Sequence, residues 1–545
     1  MANKPSLAVL LLGLALLILR PVGSEQHTPN GESITASDLR RDVNFLASDD
    51  MRGRLVGTPE NDSAAEYIEQ RFERFGVKPI GQNLSYRQPF QLMTTTLDGT
   101  NTLRIDTGPN EESAEILREF LPEPFSGTGS ATGPIVFVGF GISAADLLHN
   151  DYRGADLSGK IALVLEHEPG EFDPDSPFAG VVTSEYGRSI RKAIEAQQRG
   201  AIAIIFVEDV HNHVPRPDLS DISHRIWPRS QTRVPHYQLA SWVNQLHIPA
   251  IRVSSNQAER LIKNIGQSLH TLALRADVIG GTTPVEIPDT TIEIVTSVRR
   301  ESISVDNVVG LIEGADPVLK DEWLILCGHY DHDGATPTRI FNGADDDASG
   351  IAALLEIAEA YSQARHDGYR PKRSILLAAW NAEEQGLLGA WAYTENPIAP
   401  LSDTIAVVNM DMIGRSEEVP PGGGYRFQGL PSQTAESNRN AVNILGYSYS
   451  HDLQVATEAA NQLTNLVLRF RYDNNGSNLL RRSDHWPFLF SGVPAIFVHT
   501  GLHPDYHTER DRPDTLDYDK MERIVKLVYH LSWDLARGDT RPTLN

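Results

Sequence analysis

The sequence predicts an α/β protein: a three-layer sandwich with a mainly parallel central sheet, helices on both faces, and a small β-rich domain inserted into the chain. Two observations predict this fold. After Asn307, short apolar runs alternate with segments of helical periodicity, which is typical of a parallel sheet. Between about residues 130 and 285, the apolar runs are short and β-rich. The 545 residues leave room for both parts.

The first 24 residues have the pattern of a secretory signal. Lys4 precedes an apolar run from Leu7 to Leu19, and smaller side chains follow up to Ser24. A membrane anchor needs about 20 apolar residues, and this run is shorter. We therefore expect a cleaved signal peptide at residues 1–24, a secreted or periplasmic protein and no stable membrane insertion. An uncleaved anchor is the alternative.

The mature chain divides into three predicted segments. Apolar residues recur at three- and four-residue spacings between residues 35 and 76, which predicts two helices joined by a loop at Met51–Pro59. We assign residues 33–130 and 285–540 to the larger domain. The insert is assigned to residues 131–284, where runs such as Lys160–Leu165 and Ala201–Val207 predict strands.

Charge and cysteine content restrict the function. The net charge of −24 argues against nucleic acid as a partner, because phosphate backbones bind basic surfaces. Cys327 is the only cysteine, so it has no partner for a disulfide within the chain. It ends an apolar run and is predicted to be a buried thiol of a strand rather than a nucleophile or ligand.

Metal-ligating side chains follow the predicted strands of the larger domain. His329, Glu384 and Asp411 each come just after a strand, and His507 lies in the loop after another. Asp346 precedes a predicted helix. The carboxyl ends of parallel strands meet at one edge of a sheet, where ligands bind. Two histidines and three carboxylates can hold two divalent ions, with one carboxylate bridging them.

Each of these short segments also has a purely structural interpretation. A run of aspartates before a helix, such as Asp345–Asp347, commonly caps the helix N-terminus. Acidic pairs at a junction between strand and helix, such as Glu383–Glu384, commonly do the same. The metal-site interpretation depends on their combination in the correct ligand ratio along one sheet edge.

Five motifs together resemble those of the zinc exopeptidases of peptidase family M28. They are His329-x-Asp331, Gly343–Gly350 with its three aspartates, Asn381–Gly386, Asn409–Asp411 and Tyr506–Thr508. The resemblance spans roughly residue 35 to the C-terminal helix. It implies the zinc-exopeptidase fold, and the insert resembles a protease-associated domain.

The resemblance also implies site residues. His329 and Asp411 would hold one Zn²⁺, Glu384 and His507 a second, and Asp346 both; Co²⁺ or Mn²⁺ could substitute. Asp345 would lie outside the ligand set. Glu383 would be the general base toward a metal-bridged water. Asp331 would accept a hydrogen bond from a ring nitrogen of His329.

Three roles stay open at this stage. A tyrosine that stabilises the oxyanion in relatives aligns near Leu480, so that role has no assigned residue. Arg481 and Arg482 could bind a substrate carboxylate or could be solvated surface residues. His332 and Asp333 are interpreted as loop residues that shape the pocket.

The predicted function is an exported aminopeptidase acting on peptides. A carboxypeptidase or dipeptidase of the same family is the main alternative, and a glutaminyl-cyclase-like activity fits less well because that branch resembles a one-metal site. A non-catalytic binding protein on this fold is the alternative of a different class. The sequence indicates neither the side-chain specificity nor the oligomeric state.

Overall fold

The computed structural model describes residues 31–106, 111–230 and 232–545. The predicted signal peptide at residues 1–24 lies outside these described residues. Within them, no helix combines the length and the apolar character needed to cross a membrane.

The described residues form twenty strands and twelve α-helices. The strands are β1 Lys78–Pro79, β2 Arg87–Leu97, β3 Thr102–Asp106, β4 Glu111–Ser113, β5 Phe120–Pro122, β6 Gly129–Phe137, β7 Ser143–Ala144, β8 His149–Asn150, β9 Ile161–Leu165, β10 Ala203–Val207, β11 Gln238–Leu239, β12 Ala250–Val253, β13 Val285–Thr296, β14 Val298–Ile312, β15 Trp323–His329, β16 Ser374–Trp380, β17 Thr404–Met410, β18 Ala441–Leu445, β19 Val467–Phe470 and β20 Ala495–His499. The helices are α1 Ala36–Leu46, α2 Pro59–Arg74, α3 Ser189–Gln198, α4 Ser220–Ile226, α5 Ala240–Val243, α6 Ser255–Leu261, α7 Leu269–Ala276, α8 Ser349–His366, α9 Leu388–Glu395, α10 His451–Asn461, α11 Trp486–Phe490 and α12 Tyr518–Arg537.

The two N-terminal helices begin at side-chain caps. Thr35 accepts a hydrogen bond from the amide of Asp38, and Thr58 accepts one from the amide of Asn61. Pro59 occupies the first turn of α2, where the missing N–H has no helical partner to lose. Both helices and the loop between them are therefore where the sequence predicts them.

The larger sheet has a parallel centre that is joined to the outer strands by an antiparallel pair on each side, and its last pair, β18 with β19, is parallel again. Its strand order is β11-β2-β14-β16-β15-β17-β20-β18-β19, with β1 beside β14. The central strands β16, β15, β17 and β20 run parallel to one another. On one side β14 pairs antiparallel with β16, and on the other β18 pairs antiparallel with β20. The predicted α/β class is confirmed, with its parallel sheet in the middle.

Helices cover both faces of this sheet, as predicted. In β15, Leu324 and Leu326 face a core that includes residues of α1, α2, α8 and α12. Ile325 and Cys327 face a second core that includes residues of α9 and α11. This alternation follows from the two-residue period of a strand. It explains why β15 reads as a continuous apolar run with no polar face.

A second sheet of eight strands forms the inserted region. Its order is β4-β3-β13-β6-β9-β10-β12-β5, and β6, β9, β10 and β12 are mutually parallel. It encloses its own core. The sheet extends beyond the predicted insert of residues 131–284 at both ends, because β3, β4 and β5 precede that range and β13 follows it.

A long antiparallel ribbon joins the two sheets. Strands β2 and β14 pair over eleven residues each, and only Ser297 separates β14 from β13 of the second sheet. Asn101 ties the junction together, since its side chain accepts from the amide of Ser297 at 2.8 Å and donates to the carbonyls of Asp98 and Ser297.

Candidate metal centre

The five predicted ligand residues meet at one edge of the larger sheet. His329 ends β15, Asp411 directly follows β17, and Glu384 lies in the turn after β16. His507 is in the loop after β20, and Asp346 is in the irregular turn that leads into α8. The carboxyl ends of the parallel strands thus bring distant segments of the chain together.

Asp346 lies between the two histidines. Its Oδ1 is 3.2 Å from Nε2 of His329, and its Oδ2 is 3.0 Å from Nε2 of His507. Nε2 of His329 is also 3.6 Å from Oδ1 of Asp411. Nε2 of His507 is 3.2 Å from Oε2 of Glu384. One carboxylate oxygen of Asp346 therefore faces each histidine–carboxylate pair.

These atoms fit two divalent ions. Ligand atoms on a tetrahedral zinc ion with bonds of about 2.0–2.2 Å lie roughly 3.3 Å apart, close to the separations found here. Three of the facing atoms are buried and have no hydrogen-bond partner: Nε2 of His329, Oδ1 of Asp411 and Nε2 of His507. Unpartnered buried polar atoms are costly, and metal ions would satisfy these three.

Two side chains of the loop after β15 join this cluster. Nδ1 of His332 is 2.7 Å from Oε1 of Glu384, and Nε2 of this buried histidine has no hydrogen-bond partner. Oδ2 of Asp333 is 3.4 Å from Nδ1 of His507. Both residues contact ligands rather than only shaping the pocket. The sequence signal was the second histidine in the run His329–Asp333.

Asp331 contacts the site through different atoms than predicted. Its carboxylate is 3.8 Å from Nδ1 of His329, too far for a hydrogen bond, whereas its backbone oxygen is 3.2 Å from that nitrogen. The predicted hydrogen bond to the Asp331 carboxylate is therefore wrong. The carboxylate instead accepts from the amides of Glu383 at 3.0 Å and Glu384 at 3.4 Å, because the turn after β16 presents both amides to it.

The aspartates beside Asp346 bind backbone amides. Asp347 accepts from the amides of His329, Gly350 and Met412. The carboxylate of Asp345 accepts from the amide of Gly414 at 2.6 Å. These two carboxylates hold the ends of β15 and β17 at the start of α8.

A buried arginine holds two of the loops that carry ligand residues. Arg54 is fully buried and donates to the carbonyls of Leu46, Tyr330, Asn342 and Gly343 at 2.7 to 3.0 Å. A guanidinium has five N–H donors in a fixed plane, which suits such a set of carbonyls. Sequence reasoning placed this residue only in a loop, because its partners lie far away in the chain.

Comparisons with known proteins agree with this geometry. Residues 307–532 match the sequence profile of peptidase family M28, and this range holds all five predicted ligand residues. This range of the chain is an M28 peptidase domain.

Individual relatives of this chain are distant. It is 29% identical over 266 residues to a “Probable zinc metalloprotease” of Pyrenophora tritici-repentis, covering 44% of this chain and 59% of that protein. It is 24% identical over 500 residues to a “Probable glutamate carboxypeptidase” of Arabidopsis thaliana, covering 87% of this chain and 63% of that protein. The chain thus spans about 60% of the length of these two curated relatives.

Among solved structures, the chain is similar to the aminopeptidase from Aneurinibacillus sp. strain AM-1. The two share 21% sequence identity with a TM-score of 0.48, over 93% of this chain and 96% of the other.

A small cavity opens beside the ligands of the M28 domain. Its volume is about 30 Å³, and it is bounded by four of the site carboxylates together with apolar and polar side chains. These other lining residues are Met412, Leu479, Arg482, Phe497, His499, Leu502 and Tyr506. Leu480, the position aligned with the oxyanion tyrosine of relatives, is fully buried and apolar, whereas Tyr506 lines the cavity.

Glu383 is the carboxylate of this cavity that is not a predicted ligand. Its Oε2 is 3.8 Å from Nε2 of His329. Burial raises the pKa of Glu383 well above its usual value, and the nearby carboxylate of Glu384 raises it further against the opposing effect of His329.

A chain of hydrogen bonds orients Asp411. Oγ of Ser483 donates to Oδ2 of Asp411 at 2.6 Å, and Asn409 donates to the same Ser483 oxygen at 2.7 Å. Sγ of the buried Cys327 lies 3.3 Å from Oδ1 of Asn409. The prediction of a buried strand thiol is confirmed.

The inserted region reaches the M28 site at two places. Arg233 donates to the backbone oxygen of Asp333, and its Nη2 is 3.3 Å from Oδ2 of that residue. Arg481 donates to the carbonyl of Thr183 at 2.6 Å and to Glu185 at 3.0 Å. The guanidinium of Arg481 is therefore hydrogen-bonded to the insert. Its neighbour Arg482 lines the cavity instead.

Proposed function

We propose that this chain is an exported, zinc-dependent two-metal exopeptidase, and that it acts as an aminopeptidase that releases N-terminal residues from peptides. The observation that carries the proposal is Asp346, whose two oxygens each face one histidine–carboxylate pair. The family M28 match supports the same reaction class. Export depends on the signal pattern of residues 1–24.

His329 and Asp411 would hold one zinc ion, Glu384 and His507 the other, and Asp346 both. When bound, such ions polarise the scissile carbonyl and lower the pKa of a water molecule shared between them. Histidine and carboxylate donors also accept Co²⁺ or Mn²⁺.

Glu383 would move the proton in this reaction. Its carboxylate lies beside the ligand cluster and lines the cavity. It would take a proton from the attacking water and return it to the leaving amine. Asp331, bonded to the amides of Glu383 and Glu384, would hold the base and its neighbouring ligand in position.

Tyr506 and Arg482 would stabilise the negative oxygen that develops on the scissile carbonyl. Both line the same cavity as Glu383, and both carry hydrogen-bond donors. Donors fixed in a buried site stabilise a developing charge strongly.

A carboxypeptidase or dipeptidase activity is the second candidate. Arg482 favours it, because a cationic side chain that lines the cavity could also bind the free carboxylate of a substrate. The Arabidopsis thaliana relative is named a probable glutamate carboxypeptidase.

Hydrolysis of one short peptide in three forms tests these proposals. The peptide carries free termini, an acetylated N-terminus or an amidated C-terminus, and each form is incubated with wild type, Glu383→Gln and a metal-stripped sample. We expect acetylation to prevent cleavage, Glu383→Gln to remove it and zinc to restore the stripped sample. If amidation of the C-terminus prevents cleavage instead, the activity is that of a carboxypeptidase. Absence of turnover by the zinc-loaded wild type would contradict the proposal.

Glu436→Gln is a matched control. Glu436 is exposed and lies outside the cavity, so this change removes one carboxylate without touching the site. Its activity should equal that of wild type.

A further inference from the structure

His499 is a buried imidazole of the M28 site that takes no part in the proposed ion binding or proton transfer. It ends β20, while His329 ends β15 and Asp411 directly follows β17. These three strands are parallel neighbours in the larger sheet, so the three side chains begin at the same sheet edge. The ring of His499 is 1% exposed, and it lines the same cavity as Glu383.

A backbone carbonyl fixes the tautomer of His499. Its Nδ1 is 3.0 Å from the backbone oxygen of Asp411. Because a carbonyl oxygen only accepts hydrogen bonds, Nδ1 carries the hydrogen of this contact. In the neutral ring, Nε2 then keeps an unshared lone pair and acts as a hydrogen-bond acceptor.

Nε2 of His499 lacks a donor. This nitrogen is buried and has no hydrogen-bond partner within the part of the chain that the structure describes. Ionised carboxylates of the cavity cannot donate to it, and the donors of Tyr506 and Arg482, which line the same cavity, form no bond with it. An unpartnered buried acceptor is costly. A donor on a bound ligand would remove that cost.

The surroundings of His499 restrict the ligand group that carries this donor. Phe497 stacks on the imidazole with ring centroids 4.8 Å apart, and Met412, Leu479 and Leu502 are further apolar residues of the cavity lining. The cavity volume of about 30 Å³ is room for about two water molecules. Such a space suits a short, largely apolar side chain with a single donor. Threonine and serine side chains have these properties, whereas valine has the shape of threonine without the hydroxyl.

We propose that Nε2 of His499 accepts a hydrogen bond from the side-chain hydroxyl of the substrate's N-terminal residue, and that the enzyme therefore prefers N-terminal threonine or serine. This inference rests on the aminopeptidase activity proposed above. The hydroxyl donates to Nε2, while the methyl group of threonine contacts the apolar side chains of the cavity. A substrate without the hydroxyl leaves the buried nitrogen unpartnered, and this selects against it. His499 is thus a specificity-determining residue.

Hydrolysis of threonine p-nitroanilide and valine p-nitroanilide by the zinc-loaded full chain tests this inference. The assay is run at about pH 8, where an ordinary imidazole is neutral. We expect kcat/KM to be about 10-fold higher for the threonine compound, because the two substrates differ chiefly by the hydroxyl. Equal values would overturn the inference and leave the aminopeptidase activity intact. If neither compound nor alanine p-nitroanilide is hydrolysed, the aminopeptidase activity is contradicted and this inference with it.

Two variants assign the preference to the imidazole. His499→Phe keeps an aromatic ring beside Phe497 but removes the acceptor, so the ratio of kcat/KM for threonine over valine should fall below one. This ratio is measured on a single sample and does not depend on the fraction of folded enzyme. His485→Phe is the matched control, because His485 also stacks on Phe497, at 4.9 Å, but does not line the cavity; its ratio should equal that of wild type. An unchanged ratio in His499→Phe would overturn the inference, as would an equal loss of both activities, which would indicate contact with a group that all substrates share.

Discussion

At the residue scale, the proposed chemistry depends on three adjacent carboxylates that have different partners. Asp346 faces both histidines, while Asp345 and Asp347 bind backbone amides. The spacing of residues in the sequence could not distinguish the three, because the turn is irregular and no regular period fixes which side chain points toward the histidines. The resemblance to family M28 supplied that choice.

The adjacent glutamates provide the first prediction. Glu383→Gln should lower kcat about 10²- to 10⁴-fold with the zinc content of the M28 centre unchanged, because this side chain is not a proposed ligand. Glu384→Gln should lower the zinc content, because its Oε2 faces His507. Steady-state kinetics and metal analysis of both variants separate these effects, and loss of zinc from Glu383→Gln would contradict the assigned roles.

Arg233 provides a second prediction. It binds Asp333, which faces Nδ1 of His507, so Arg233→Gln should loosen the orientation of that histidine. We expect zinc affinity at the His507 site to fall about 10-fold, as measured by competition with a chelator. Arg229→Gln, at an exposed position of the same segment, should have no effect; equal affinities in the two variants would show that Arg233 does not position His507.

At the element scale, the central strands could be predicted from sequence and the outer ones could not. Strands β16 and β17 are buried along their whole length and therefore read as continuous apolar runs. Strand β14 mixes exposed and buried residues, and β19 is largely half-exposed, so neither has a clear apolar pattern. The pairing of β2 with β14 links residues about 200 positions apart, which local patterns do not reveal.

Helix α8 provides a prediction about pH. Its Glu356 is buried, and burial together with Asp42 and Asp38 raises the pKa of Glu356 from 4.5 to about 8. The folded state therefore holds a proton that the unfolded state releases above pH 4.5. The stabilisation is fully present below that pH and is lost as the pH rises through 8.

We expect deprotonation of the Glu356 carboxyl to lower the free energy of unfolding by about 3 kcal/mol between pH 5 and pH 8. Glu356→Gln should lose that part of the pH dependence, as measured by chemical denaturation at both values. Glu66→Gln, at an exposed position of α2, is the control. An unchanged pH dependence in Glu356→Gln would contradict the assignment.

At the scale of the whole molecule, the insert and the M28 domain share a buried ionic contact. Glu185 of the insert is 1% exposed and accepts from Arg481 at 3.0 Å and from Trp486 at 2.9 Å. Arg482 and Ser483, which face the site, follow Arg481 directly in the chain. The contact therefore connects the docking of the insert to the position of these two residues.

This contact provides the fourth prediction. Arg481→Ala and Glu185→Ala should each destabilise the protein, and the double variant should lose less than the sum of the two. We expect a coupling energy of about 2 kcal/mol, obtained from denaturation of wild type, both single variants and the double variant. Additive effects would show that the two side chains act independently.

The paired ribbon of β2 and β14 has a consequence for how substrates enter. A hinge needs residues that can change their φ and ψ angles freely. The backbone hydrogen bonds between β2 and β14 restrict nearly every residue of this ribbon. The tie between Asn101 and Ser297 restricts the remaining junction. We therefore expect no clamshell movement between the two sheets. If the chain acts as the proposed peptidase, a peptide would therefore reach the metal centre without a closing movement of the two sheets, and its fit would depend on its shape in that fixed arrangement.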